Sequence, residues 1–271
     1  MKNRYAAALL MAFTVIIPSS ARAHEYWLEP DRFFLRVNEN SPVSLFLGQG
    51  LRVEESRPFQ PAKTTSFQLL SASGNFDLSG SVKEGDAPLF SFSADRQGNY
   101  LLSMERNLTY ITLSAEKFEE YLREDGMEYV IAERERLGET GKPGKERYTR
   151  YIKSLIQVGD RRDRTYARKV GHKLEIVPVE NPYSKRIGDT LPLVILFNGR
   201  PLAGRTVFVD NRDGVQHMSQ SLSSDENGRI DIKLDKKGVW LVRLVFMQRC
   251  EKYCEGADWE SFWSAFSFGS R

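Results

Sequence analysis

Cysteine and histidine are scarce in this 271-residue chain: Cys250 and Cys254 are its two cysteines, and His24, His172 and His217 its three histidines. That scarcity excludes a thiolate-rich cluster or a multi-disulfide scaffold, and any imidazole-based metal site must draw on those three side chains. Gly-x-Ser-x-Gly, His-Glu-x-x-His, phosphate-loop and dinucleotide fingerprints are also missing, so the chain reads as a non-enzyme with no catalytic residues. The longest apolar run, Tyr5 to Pro18, falls short of the roughly 20 residues that cross a bilayer, so no membrane span is expected.

That run is instead the core of an export signal. Lys2, Asn3 and Arg4 precede it, and a polar exit ends in the small-x-small triplet Ala21-Arg22-Ala23. Residues 1–23 are expected to be a cleaved signal peptide, which places the protein in the periplasm. Cleavage takes the basic count from 39 to 36 against 36 acidic residues, because only Lys2, Arg4 and Arg22 are lost. A neutral chain gives no electrostatic reason to bind nucleic acid. In an oxidising compartment Cys250 and Cys254 are expected to bridge, closing the polar loop Gln248 to Asp258; a thiolate metal pair or a redox couple is the alternative.

Cleavage after Ala23 would make His24 the first residue. Its α-amine, titrating near roughly 7.7 to 8.0, and its imidazole, near roughly 6.5, could then close a six-membered chelate ring on one metal ion. A histidine inside the chain offers only one such nitrogen.

Beyond the leader the grammar is that of strands. Phe33, Leu35 and Val37 alternate with Phe34, Arg36 and Asn38, and short runs at 43–47, 66–70, 89–92, 100–104 and 110–113 follow. Residues 48–63 show no alternation and are expected to be a long loop. At Ser114, a suitable N-cap, the period changes: one helix is expected to carry Phe118, Tyr121 and Leu122 and end at Gly126, a second to span 127–137 and a third 145–157. Strand runs resume at 172–179, 190–197, 206–210, 215–222, 229–234, 239–247 and 262–268. Turn signals at Asn198-Gly199, Asp213-Gly214, Asn227-Gly228 and Lys237-Gly238 separate several of them. The expected fold is mostly β: two antiparallel β-sandwich domains of immunoglobulin or transthyretin type, 24–113 and 170–271, with a helical insert, 114–169, between them.

Four blocks carry a family resemblance: His24-Glu25-Tyr26-Trp27-Leu28-Glu29-Pro30; Glu146-Arg147-Tyr148-Thr149-Arg150-Tyr151-Ile152-Lys153 running to Val158-Gly159; Gly171 to Pro178; and Gly199-Arg200-Pro201-Leu202-Ala203-Gly204 with Trp259 to Phe268. In these the chain resembles the exported bacterial family known as domain of unknown function 4198. The resemblance implies a periplasmic accessory of nickel or cobalt uptake, with a metal ion as ligand and a metal-uptake transporter or outer-membrane receptor as partner.

The metal ligands expected are therefore His24, then His172, which lies inside a family-like block, and then His217, which lies in a polar strand. His172 shares the parity of Leu174 and Ile176 and reads equally well as a half-buried structural residue. Glu25 and Glu29 are the nearest carboxylates, Glu29 reading as solvent-facing, and Tyr26 and Trp27 read as core anchors. Copper is the alternative cofactor, because an amino-terminal histidine with a second histidine resembles the copper brace of lytic polysaccharide monooxygenases and some copper carriers in that one feature. A pure interaction module in which His24 is idle is the third reading.

Overall fold

The stretch expected as a third helix is the central strand of the molecule. In the computed structural model, which describes residues 24–271, Gly144–Val158 is fully extended. Tyr148, Ile152, Leu155 and Ile156 fall at helical spacing only because both faces of this strand are covered. Ile152 and Ile156 enter one core while Tyr151 and Leu155 enter another. A strand buried on both sides loses its polar alternation, and its β-branched and aromatic content is then the better guide. The export leader and its cleavage junction lie outside the described residues.

In chain order the strands are β1 (Glu25–Pro30), β2 (Phe34–Leu35), β3 (Ser41–Gln49), β4 (Arg52–Arg57), β5 (Thr64–Ser71), β6 (Gly74–Asp77), β7 (Phe90–Phe92), β8 (Gly98–Leu113) and β9 (Gly144–Val158). They continue as β10 (Leu174–Pro178), β11 (Thr190–Phe197), β12 (Arg200–Pro201), β13 (Thr206–Asp213), β14 (Gln216–Ser223), β15 (Arg229–Lys233), β16 (Gly238–Arg249) and β17 (Trp259–Ser270). Two helices, α1 (Ala115–Glu124) and α2 (Glu128–Arg136), separate β8 from β9. Strands hold 52% of the described residues and helices, short 3-10 turns included, 11%, which places the protein in the mostly-β class.

A nine-stranded sheet runs β14-β13-β16-β17-β9-β8-β5-β6, with β2 added to the end of β9, and only the β17–β9 and β2–β9 pairs are parallel. It draws strands from both sides of residues 114–169 and is continuous across them. One face is covered by a sheet of β1, β3, β4 and β7, the other by a sheet of β10, β11, β12 and β15. On the first face Leu102, Met104, Ile152, Ile156, Leu241 and Ala265 pack against Trp27, Leu28, Val43 and Leu45. On the second, Leu101, Tyr151, Leu155, Val242, Leu244 and Phe266 meet Leu174, Ile176, Leu193 and Ile195. The helices extend the first covering layer, packing Phe118, Tyr121, Leu122 and Val130 on Val245, Met247, Trp259 and Trp263.

Helix α1 begins where expected, with the Ser114 hydroxyl accepting from the Lys117 amide at 3.3 Å, and Gly126 follows at φ +67°. The loop expected over 48–63 is largely a strand: β4 turns back on β3 through Gly50 and Leu51, both at positive φ. It is an edge strand with most residues exposed, so charged side chains replace the alternating pattern. Gly144 is fixed by packing, since a Cβ there would lie 2.1 Å from the Phe118 ring.

Cys250 and Cys254 are bonded, their Cα atoms 5.8 Å apart, in the loop joining β16 to β17. So short a closed loop contributes at most about 2 kcal/mol of chain entropy. Replacing both with serine is expected to lower urea-unfolding stability by no more than that, and denatured, unreduced protein should show no free thiol.

Candidate functional site

Strand β1 pairs antiparallel with β3, Tyr26 opposite Leu47, and carries His24 to the mouth of a cleft of about 230 Å³. His24, Tyr26, Leu47 and Arg57 form one wall and Tyr121 of α1 the other. The floor is the central sheet: Glu146, Tyr148 and Arg150 alternate along β9, and Trp263 of β17 lies opposite Arg150 in register. The site is thus a seam between the β1–β3–β4 layer and the helices. It is smaller than a typical drug-sized pocket and suits a hydrated ion or a small molecule.

The floor is aromatic and charged together. The Arg150 guanidinium lies 4.7 Å from the Tyr26 ring, 4.5 Å from Tyr148 and 4.9 Å from Trp263, so three π faces offset its partial burial. Tyr121 stacks on Trp263 with centroids 5.8 Å apart and nearly parallel planes. Its hydroxyl donates to Glu146 at 3.1 Å; the Ser261 hydroxyl also donates to Glu146 and accepts from the Trp263 indole at 3.2 Å. Burial pushes the Glu146 carboxyl up to about 7, although the hydroxyls of Ser261 and Tyr121 and the charge of Arg150 favour its ionised form.

Behind this floor lies a junction of charges. Arg243 on β16 pairs through Nε with Glu25 at 2.5 Å and Asp210 at 2.8 Å, and through Nη1 with Asp125, the C-cap of α1, at 3.6 Å. All four side chains are buried, and the guanidinium stacks on Phe208 at 4.4 Å. One cation facing three carboxylates favours retained protons. Burial, reinforced by Asp210, pushes Glu25 up to about 7 against the pull of Arg243, and Asp125 is raised well above its ordinary value by burial. A small cavity of about 20 Å³, lined by Glu25, Asp125, Arg243, Tyr26, Arg150 and Trp263 among others, joins the junction to the cleft.

The three histidines do not come together. His24, half-buried, places Nε2 2.7 Å from the Glu54 carboxylate, leaving Nδ1 as the nitrogen that could chelate with an α-amine. His172 is on the opposite face of the central sheet. It packs on Tyr151 at 4.9 Å, its Nε2 lies 3.1 Å from the Ser103 hydroxyl, and burial with the nearby Lys153 lowers it to about 3, a neutral core histidine. His217 sits on β14 with Nδ1 3.3 Å from the Gly50 carbonyl. Among the described residues no three His, Cys, Asp or Glu side chains are grouped to hold a metal ion. Nor are the nearby carboxylates free: Glu25 serves Arg243, and Glu29, read as solvent-facing, is buried, accepting from the Trp27 indole at 2.8 Å and pairing with Arg212.

Sequence reasoning missed Glu146, Arg150, Tyr121, Trp263 and the Arg243 junction. The signal was present in the blocks around Glu146 to Tyr151 and Trp259 to Phe268, but reading 145–157 as a helix hid which of their residues share a face.

The molecule is therefore a layered β protein with an aromatic, arginine-bearing cleft beside residue 24. It belongs to the family described as Domain of unknown function (DUF4198), whose model matches residues 21–248. No curated protein sequence matches the chain. Among solved structures it is similar to dimeric latent PorU from Porphyromonas gingivalis, at 12% identity and a TM-score of 0.19, over 97% of this chain and 22% of that one. It is also similar to Escherichia coli alpha-2-macroglobulin activated by porcine elastase, at 8% identity and a TM-score of 0.22, over 92% of this chain and 20% of that one. The chain thus spans about a fifth of each.

Glu146 and Glu25 hold their protons more tightly folded than unfolded, so the folded state binds more protons between pH 4.5 and about 7. The contribution of these two groups to stability is then full below pH 4.5 and is lost as pH rises through about 7. Glu146→Gln is expected to remove its share, up to about 3 kcal/mol, so that the variant's melting temperature declines less than wild type between pH 5 and 8.

Proposed function

We propose that this protein is an exported accessory that binds a divalent transition metal, nickel or cobalt by family resemblance, at His24 on the mouth of the cleft. The observation that carries the reading is the contact between His24 Nε2 and Glu54: a carboxylate on the outer nitrogen fixes the ring and raises the basicity of Nδ1, as it does for metal-bound histidines generally. With the α-amine freed by processing, residue 24 would offer two nitrogens, and the cleft that His24 lines would admit water or a small ligand beside them. Such a donor set suits several first-row ions, so selectivity would come from supply and from a partner, a transporter or outer-membrane receptor, that takes the metal onward. The Cys250–Cys254 bond supports an oxidising compartment such as the periplasm. Among the described residues no helix is long and apolar enough to cross a membrane. We further propose that residues 170–271 form an immunoglobulin- or transthyretin-like sandwich, a reading supported by the β10–β11–β12–β15 sheet facing β13, β16 and β17.

Calorimetric titration of untagged protein beginning at His24 tests the reading. Nickel or cobalt should bind at micromolar dissociation constants or tighter. His24→Ala, or one extra residue before His24, should abolish that binding, and Glu54→Gln should weaken it roughly 10- to 100-fold. His172→Ala should leave metal affinity unchanged while lowering stability by about 1 to 3 kcal/mol. Binding no tighter than millimolar, about 4 kcal/mol, would instead favour a metal-free interaction module.

A further inference from the structure

Three arginines converge on one tyrosine ring beside the cleft. The guanidinium carbons of Arg150, Arg106 and Arg57 lie 4.7, 5.1 and 5.9 Å from the Tyr26 centroid. A second cavity, of about 70 Å³, shares Tyr26, Tyr148 and Arg150 with the cleft and is lined further by Arg106, Asn107 and Lys63. Positive charge here is poorly balanced. Among the described residues Arg57 pairs with Glu55 at 3.0 Å, whereas neither Arg106 nor Arg150 has a carboxylate within ion-pair distance. Arg106, 7% exposed, is held through Nη2 by the Gln60 side chain at 3.0 Å; burial and its neighbours Arg150 and Arg57 disfavour its charge, against the pull of Tyr26 and Tyr148. The Nε atoms of Arg57 and Arg150 are buried without a partner. Glu146, the acid whose charge Arg150 feels, already accepts hydrogen bonds from Tyr121 and Ser261.

Like charges gathered in a concave, aromatic-lined site repel unless an anion joins them. Guanidinium forks match the planar oxygens of carboxylate and the tetrahedral oxygens of phosphate. We propose that Arg57, Arg106 and Arg150 form a binding subsite for a small molecule bearing an oxyanion group, held against Tyr26 and Tyr148. The subsite does not require a metal at His24, although an anion seated there would lie next to the chelating residue and could complete its coordination.

The test uses metal-stripped processed protein, so that its outcome is separate from the metal reading. Citrate and inorganic phosphate are titrated in parallel at low ionic strength, with chloride as the reference. At least one is expected to bind at submillimolar concentration and to weaken as salt rises. Binding by citrate alone identifies a carboxylate ligand, by phosphate alone a phosphoryl one, and by both a general oxyanion site. Arg150→Gln and Arg106→Gln should each reduce affinity at least tenfold with the unfolding transition retained, while Arg229→Gln, on distant β15, should not. If a buried variant fails to fold, Arg57→Gln at the half-buried rim takes its place and should weaken binding likewise. Neither anion binding above chloride, or folded arginine variants binding as wild type does, would overturn the proposal.

Discussion

Arg243 holds the seam together. Its guanidinium reaches Glu25 on β1, Asp210 on β13 and the C-cap Asp125 of α1, so one cation joins the covering layer, the central sheet and the helices at a single buried point. Breaking a buried pair by removing one partner typically costs about 3 to 5 kcal/mol, because the remaining charge has no counterpart. Here Asp210 would lose its ion-pair partner, while Glu25 and Asp125, already raised by burial, would be driven further toward their protonated forms. The same junction positions β1, which presents Tyr26 and is entered directly from His24, so the geometry of the cleft depends on a group that does not line its 230 Å³ volume.

The central sheet imposes the second constraint. Side chains on β9 alternate between its faces: Glu146, Tyr148 and Arg150 serve the cleft, while Tyr151 and Lys153 serve the other core. There Lys153 is buried against Glu175 at 2.9 Å, and Glu175 also accepts from the amide of Val170 at 2.8 Å. These bonds order the chain leading into β10, and His172 packs within that order on Tyr151. Because β9 alternates, the cleft beside His24 and the Tyr151 ring under His172 lie on opposite faces of the central sheet.

Part of the fold was legible where a strand has one wet face or is bounded by clear turn residues. The run 229–233 alternates exposed and buried residues, and the turns at Asn198-Gly199 and Asn227-Gly228 carry glycines at positive φ. What could not be read were strands that depart from alternation for opposite reasons: β9, covered on both faces, and β4, mostly exposed. The site suffered the same loss. His24 stood out by its place beside a processing signal, but the value of Arg150 or Glu146 depends on β9 being extended and on its parallel register with β17, Arg150 opposite Trp263. Arg243 gave no signal at all, since its three acids come from residues 25, 125 and 210.

The proposed metal ion would bind at the cleft and not at the His172 core. Cobalt(II) is paramagnetic, and the four tryptophans supply indole reporters: Trp263 lines the cleft with His24, whereas Trp240 lies in the core on the other side of the sheet. Titrating cobalt into processed protein and following the indole N–H resonances by NMR should shift or broaden Trp263 first, with Trp240 and the His172 ring little changed. Perturbation centred on His172 and Trp240, with Trp263 untouched, would contradict the account.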